Sequence, residues 1–290
     1  MPTFSKPITE IIPQRFSCRR YLETPINEGT RHRLLDFMDT CQSGPFGSRP
    51  RFGLIAATEQ HRRALRGLGT YGFIRGASGF VLGAVEPAEK DLEDYGYLME
   101  RIILFATALD LGTCWLGGTF TQNSFARKIS LTGDEVMPAV ASIGYIADPE
   151  KARDGFIRQY AGAHNRQAWN KLFFDRQFGV PLAPEDAGQY AIPLEMVRLA
   201  PSASNKQPWR ILKDGSAWHF YLERTPGSRE GFFQLLLNLV DLQRMDMGIA
   251  MCHFELTARE AGLKGEWIVE EPEIEKPDGL TEYTVSWRSL

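Results

Sequence analysis

A basic excess is missing from this chain. Its 33 Lys and Arg stand against 36 Asp and Glu, a formal net charge of -3, so the electrostatic footprint of non-specific nucleic-acid binding is absent and no nucleic-acid partner is expected. Long apolar runs are missing too: stretches such as Ile102–Ala108 fall well short of the roughly 18 residues that a membrane span requires. The opening MPTFSKPITE has no apolar core of the signal-peptide kind. These features set the expectation of a cytosolic (cytoplasmic) protein with no membrane partner. The four cysteines, Cys18, Cys41, Cys114 and Cys252, show no C-x-x-C spacing and are too few for a disulfide scaffold. Buried free thiols are expected. His164, His219 and His253 lack ligand spacing with acidic or thiol partners, so no metal is expected. Neither a Ser-His-Asp nor a paired-carboxylate constellation is visible, and no side chain is nominated as catalytic. No Gly-x-Gly-x-x-Gly is present from which to read a nicotinamide preference.

What the chain does have is a repeat. With 43% of its 290 residues apolar, it can bury one large core or two modest ones. A helical stretch at Asn27–Cys41 leads into the turn cluster QSGPFGSRP (42–50) and a β-type run at Phe52–Thr58. The order recurs at Leu194–Leu199, PSASNKQP (201–208) and Trp209–Leu212, with Pro50 and Pro208 lying 158 residues apart. Each half continues with a second strand, GFVLGAV (79–85) and AWHFYLE (217–223). A long apolar helix follows in each, near Tyr95–Leu111 closed by Gly112 and near Leu239–Ala261 closed by Gly262. Both halves finish on a β-type run, AVASIGYI (139–146) and EYTVSWR (282–288). The long helices carry apolar runs instead of a single stripe, so they must be buried from more than one side. The simplest partner for each is the matching helix of the other half, as in a two-fold dimer made internal. The expected division is 1–150, a tether at 151–189 containing Pro181, Pro184 and Gly188, and 190–290.

Several residues are suited to holding a ligand. Arg15 and Arg19 flank Ser17, and an extended segment points all three side chains to one side, as charge-assisted binding of a phosphate requires. Read alone, the pattern is that of ordinary solvated charges ahead of a helix. In the loop Pro201–Gln207, small side chains allow close backbone approach, while Ser202, Ser204, Asn205 and Gln207 offer donors and acceptors. Gly117 and Gly118 form either a tight turn or a surface for a ligand, or both. Trp115, Trp209 and Trp218 are expected in the cores.

Taken together, RFSCR with Tyr21, LGTCWLGGTF (111–120) and APSASNKQPW (200–209) resemble the flavin-dependent nitroreductase superfamily, in particular its two-domain, internally duplicated subgroup. The resemblance covers nearly the whole chain. It implies an α+β, nitroreductase-like fold of two tandem half-domains, each a β-sheet flanked by helices, packed as an intramolecular pseudo-dimer. It also implies an FMN cofactor. Arg15, Ser17 and Arg19 match the phosphate motif, and Leu116, Gly117 and Gly118 match the turn along the flavin ring. Pro201, Ser202, Ala203, Ser204, Asn205 and Gln207 match the loop given by the opposite subunit in dimeric members. Lys151 and Arg153 follow the strand after which family members place further phosphate cations, and a soluble surface explains them equally.

Aligning YLETPI (21–26) with FGVPL (178–182) sets Leu172, Phe174 and Arg176 opposite Arg15, Ser17 and Arg19, and CQSGPFGSRP departs from PSASNKQP at nearly every polar position. One FMN site per chain is therefore expected, in a monomer with an internal pseudo-two-fold. The implied activity is hydride transfer from NAD(P)H to nitroaromatic or quinone-like small acceptors. Dehalogenating or flavin-consuming chemistry is a related alternative. A flavin-binding or flavin-free protein of this fold without turnover is an alternative of a different class.

Overall fold

A helix apolar on every side must be covered on every side, and the element that best satisfies this is Asp91–Ala108, where Arg101 alone escapes burial. In the computed structural model, which describes residues 4–58, 64–118, 120–148, 165–226 and 240–290, this helix belongs to the first of two units, Met1–Gly162 and Ala163–Leu290. The first unit runs α1 (Ile8–Gln14), α2 (Glu28–Met38), β1 (Arg51–Ala56), β2 (Gly79–Ala84), α3 (Asp91–Ala108), β3 (Gly112–Leu116), α4 (Gln122–Ile129) and β4 (Val140–Gly144). Its sheet has the order β1-β2-β4-β3, antiparallel throughout. Asn27 starts α2 by accepting the Thr30 N–H at 2.8 Å. β2, GFVLGA, is buried along its whole length. Phe125 of α4 packs edge-on against Phe80, and the Tyr95 hydroxyl of α3 donates to the Ala139 carbonyl at 2.6 Å. Phe37 of α2 stacks on Phe105 of α3 with centroids 4.0 Å apart.

The second unit comprises α5 (Trp169–Leu172), β5 (Phe173–Asp175), α6 (Ala191–Arg198), β6 (Trp209–Asp214), β7 (Ala217–Glu223), α7 (Leu242–Glu260), β8 (Gly265–Ile268) and β9 (Thr281–Ser289). Its sheet has the order β5-β6-β7-β9-β8. With β5 set aside, this is the connectivity of the first sheet: two hairpin strands, a long helix, then an edge strand and a central strand. Phe254 of α7 lies in an aromatic cluster with Trp218, Phe220, Trp267 and Trp287. All four cysteines are buried, and none of them forms a disulfide. Among the described residues no helix is long and apolar enough to cross a membrane.

Three local readings are corrected. The helix expected to close at Gly112 ends at Ala108, and the left-handed residue is Asp110 (φ 59°). Gly112 instead opens β3, where a Cβ would press on Cys18 and Ile146. Gly262 does close the second helix at φ 76°. Within the stretch read as a tether, residues from Trp169 on form α5 and β5; Leu172 and Phe173, ahead of the Pro and Gly breakers, and Leu182, between Pro181 and Pro184, are buried. Apolar burial there outweighs the loop-like composition. The alignment of Leu172, Phe174 and Arg176 with Arg15, Ser17 and Arg19 also fails. Ser17 bridges Thr113 on β3, at one edge of the first sheet, whereas β5 runs parallel to β6, the counterpart of β1, at the opposite edge.

Candidate functional site

Beyond α1, whose backbone turns extended at Arg15 (φ -66°, ψ 129°), the chain lies alongside β3. The Cys18 N–H donates to the Thr113 carbonyl at 2.8 Å. Cys18 is fully buried, while Ser17 and Arg19 are partly exposed, and an Arg19 Nη donates to the Ser17 carbonyl at 3.4 Å. Arg15 points inward. Its side chain is 5% exposed, and its Nε stands 3.7 Å from Oε1 of Glu100, a fully buried carboxylate on α3. That separation makes an ion pair without a hydrogen bond, and the Nε has no hydrogen-bond partner. Burial pulls the guanidinium below its ordinary pKa, and the Glu100 and Cys114 charges pull it back up. The other oxygen of Glu100 accepts the Trp115 indole N–H at 2.7 Å. One carboxylate thus ties the arm to β3.

Arg15 also lines a cleft of about 550 Å³, together with Gln14, Phe16, Thr107, Thr113 and Tyr145. Gly112 pairs with Gly144 at this end of β3. At the other end, Leu116 is buried and Gly117 and Gly118 bend away, with open space where a Gly118 Cβ would stand. Five steps of strand separate Gly112 from Gly117, about 16 Å at the usual rise. The first unit therefore offers a buried cation in a cleft and, a strand's length away, bare backbone.

In the second unit the loop between α6 and β6 holds three non-glycine residues in left-handed backbone: Ser204 (φ 50°), Asn205 (φ 55°) and Gln207 (φ 52°). Each costs about 1–3 kcal/mol unless the surroundings impose it. They do impose it. The Ala203 N–H donates to the Asp246 carboxyl of α7 at 2.9 Å, and the Gln207 N–H to the Ser202 hydroxyl at 2.8 Å. Arg210, forked onto Glu223, donates to the Gln207 carbonyl at 3.0 Å. From residues 165–167, Arg166 donates to the Asn205 Oδ1 at 2.8 Å, and the Gln167 N–H donates to the Gln207 Oε1 at 2.8 Å. The Asn205 and Gln207 amide nitrogens donate to the Asn165 carbonyl. Pro201 and Gln207 are buried, Ser202, Ala203 and Asn205 partly so, and Ser204 is exposed. Burial raises Asp246 well above the ordinary carboxylate range, and the Ala203 N–H opposes the rise.

The first unit repeats this fastening. Asp94 of α3 accepts the Phe46 and Ser48 N–H groups at 2.9 Å each, and a Cβ on Gly44 would overlap its carboxyl. The carboxylate–indole pair recurs too, since Glu255 of α7 accepts the Trp267 N–H at 2.7 Å. There the partner cation is Arg259, 63% exposed at the surface.

Lys151 and Arg153 lie outside the described residues, as does His164. Trp209 and Trp218 are buried in the core as expected, and Trp115 is partly so. The residues that sequence reasoning passed over, namely Glu100, Asp94, Asp246 and Arg166, are mostly charges inside apolar helices. The signal was an acidic residue where the pattern calls for an apolar one, as in YLMERIILF and RMDMGIAM.

Two sheets of one connectivity, each backed by a long buried helix that fastens the loop before its first strand, define a tandem α+β fold of nitroreductase type. The chain belongs to the family described as "Putative TM nitroreductase", whose model matches residues 7–258. Its fold is similar to that of a "putative nitroreductase" from Thermotoga maritima, at 22% identity and TM-score 0.61, covering 98% of this chain and 94% of that one. A "putative nitroreductase" from Desulfovibrio desulfuricans, described in complex with FMN, is 24% identical at TM-score 0.40, covering 50% of this chain and 89% of its own. A nitroreductase family protein from Clostridium difficile is 18% identical at TM-score 0.38, with 49% and 88% covered. No curated protein matches.

Proposed function

We propose that this nitroreductase-family protein is an FMN-dependent oxidoreductase that takes hydride from NAD(P)H and delivers it to nitroaromatic or quinone-like acceptors. The observation that carries the reading is Arg15: a buried guanidinium with an unsatisfied Nε lines a cleft one strand away from the bare backbone of Gly117 and Gly118. A ligand with an anionic group at one end and a flat hydrogen-bonding ring at the other matches that spacing, and FMN is such a ligand. In this reading Arg15, Ser17 and Arg19 hold the phosphate, with Lys151 and Arg153 as further cations. Leu116, Gly117 and Gly118 lie along the ring, and Pro201, Ser202, Ala203, Ser204, Asn205 and Gln207 are its further contacts. Bound there, FMN supplies a hydride acceptor for the nicotinamide and a donor for the aromatic acceptor. The chain's own residues bind, orient and restrict water. The site is completed within one chain, as a cytoplasmic monomer, because the phosphate motif and the Pro-Ser loop each occur once in the sequence.

The test is the cofactor released on denaturing the purified full chain, together with NADPH oxidation in the presence of a nitroaromatic. One FMN per chain, at every protein concentration, supports the proposal. Two per chain, or occupancy only above a dimerisation threshold, would overturn the single intramolecular site. A protein that takes up no FMN would refute the whole reading.

A further inference from the structure

We propose that Arg166, with Gln167 beside it, is a positioning residue for the flavin site: residues 165–167 clasp the loop 200–208 so that Ser204 becomes its ligand-facing residue. The inference rests on the FMN reading above and deepens it. The Asn205 amide is used at both ends, its oxygen by Arg166 and its nitrogen by the Asn165 carbonyl at 2.8 Å. The Gln207 amide is used likewise, its oxygen by the Gln167 N–H and its nitrogen by the Asn165 and Asn205 carbonyls. These two side chains, the most polar in the loop after Lys206, are both engaged by the clasp. Ser204, immediately before Asn205, is exposed and left-handed, with no side-chain hydrogen bond among the described residues.

Arg166 suits the task because its guanidinium reaches two acceptors at once: the Asn205 Oδ1 in the loop and, at 3.1 Å, the Leu199 carbonyl where α6 ends. A planar fork fixes the distance between those points, and an ammonium cannot. Gln167 completes the clasp by donating to the Lys206 carbonyl at 3.1 Å. Left-handed backbone at three non-glycine residues does not hold itself. Release of the clasp lets the loop relax toward ordinary φ, and the Ser204 N–H and hydroxyl leave the place where a ring edge would meet them.

The experiment uses the full chain and its Arg166→Ala, Arg166→Lys and Ser204→Ala variants. Hydrogen exchange at Asn205, Lys206 and Gln207 is read without flavin, and FMN affinity by quenching of flavin fluorescence. Arg166→Ala should speed exchange at these amides and weaken FMN binding, each by about tenfold, the loss of one charge-assisted hydrogen bond. Arg166→Lys should recover only part of both, and Ser204→Ala should weaken FMN without speeding exchange. Unchanged exchange in Arg166→Ala overturns the clasp. Faster exchange with unchanged FMN affinity overturns its role at the site. Should Arg166→Ala not fold, a wild-type-like Arg166→Lys in both measurements overturns the proposal. If the wild-type chain binds no FMN while its loop amides are protected, the clasp is intact and the flavin reading is what fails.

Discussion

Glu100 and Glu255 allow a measurement in which the chain is its own control. Both are buried carboxylates on the long helix of their unit, and both accept a tryptophan N–H at 2.7 Å. They differ in the cation. Arg15 is 5% exposed at 3.7 Å from Glu100, while Arg259 is 63% exposed at 2.6 Å from Glu255. Glutamine keeps the shape and an acceptor for the indole but removes the charge. In Glu100→Gln a buried guanidinium is left without its counter-charge, a situation that costs about 3–5 kcal/mol; the absence of a direct hydrogen bond puts the expectation near the lower end, about 3 kcal/mol. In Glu255→Gln the cation returns to water, and the loss should be under about 1 kcal/mol. Urea denaturation separates the two. Inorganic phosphate or FMN should then stabilise Glu100→Gln more than wild type, because an anion in the cleft replaces the missing charge. Equal losses for the two variants, or equal stabilisation by phosphate, would show that Arg15 is not the buried, anion-seeking cation inferred here.

Glu135 is drawn down to about 2, first by its hydrogen bonds from Arg51. Its contribution is therefore complete above the ordinary value of 4.5 and lost as pH falls from there toward 2. Arg51 is 43% exposed, so screening leaves about 1 kcal/mol, and Glu135→Gln should flatten the acid limb of a stability-versus-pH curve by that amount. Asp94 acts in the opposite sense, because burial raises it above 3.8 and its ionisation costs stability as pH rises through that range; an acid limb that steepens in Glu135→Gln would contradict the Glu135 assignment. Arg19→Ala should weaken FMN binding at least about tenfold, the value of one charge-assisted contact to phosphate, and an unchanged titration of the apoprotein would remove Arg19 from the proposed site.

The repeat was legible in the sequence because periodicity and turn chemistry are local. The strand 217–223 is found where the run AWHFYLE put it, and Gly262 closes α7 as its position after the apolar run implied. The family motifs were legible for the same reason, being short and ordered. β3 was read as a turn and not a strand: GTCWL begins four residues after a helix and is buried along most of its length, so neither alternation nor a polar boundary marks it. The start of the second unit was misjudged because the Pro and Gly at 181–188 outweighed the few apolar residues ahead of them, and only packing shows that Phe173 enters a sheet.

What tertiary structure alone decided is where the polar groups spend their hydrogen bonds. The sequence set out Arg15, Asn205 and Gln207 as a set of potential ligand contacts. Folding pairs Arg15 with a carboxylate 85 residues away and turns Asn205 and Gln207 onto residues 165–167. A buried charge or amide must find a partner wherever the chain brings one within reach. That partner is fixed by the sheet and helix packing of the whole unit, which no local pattern encodes.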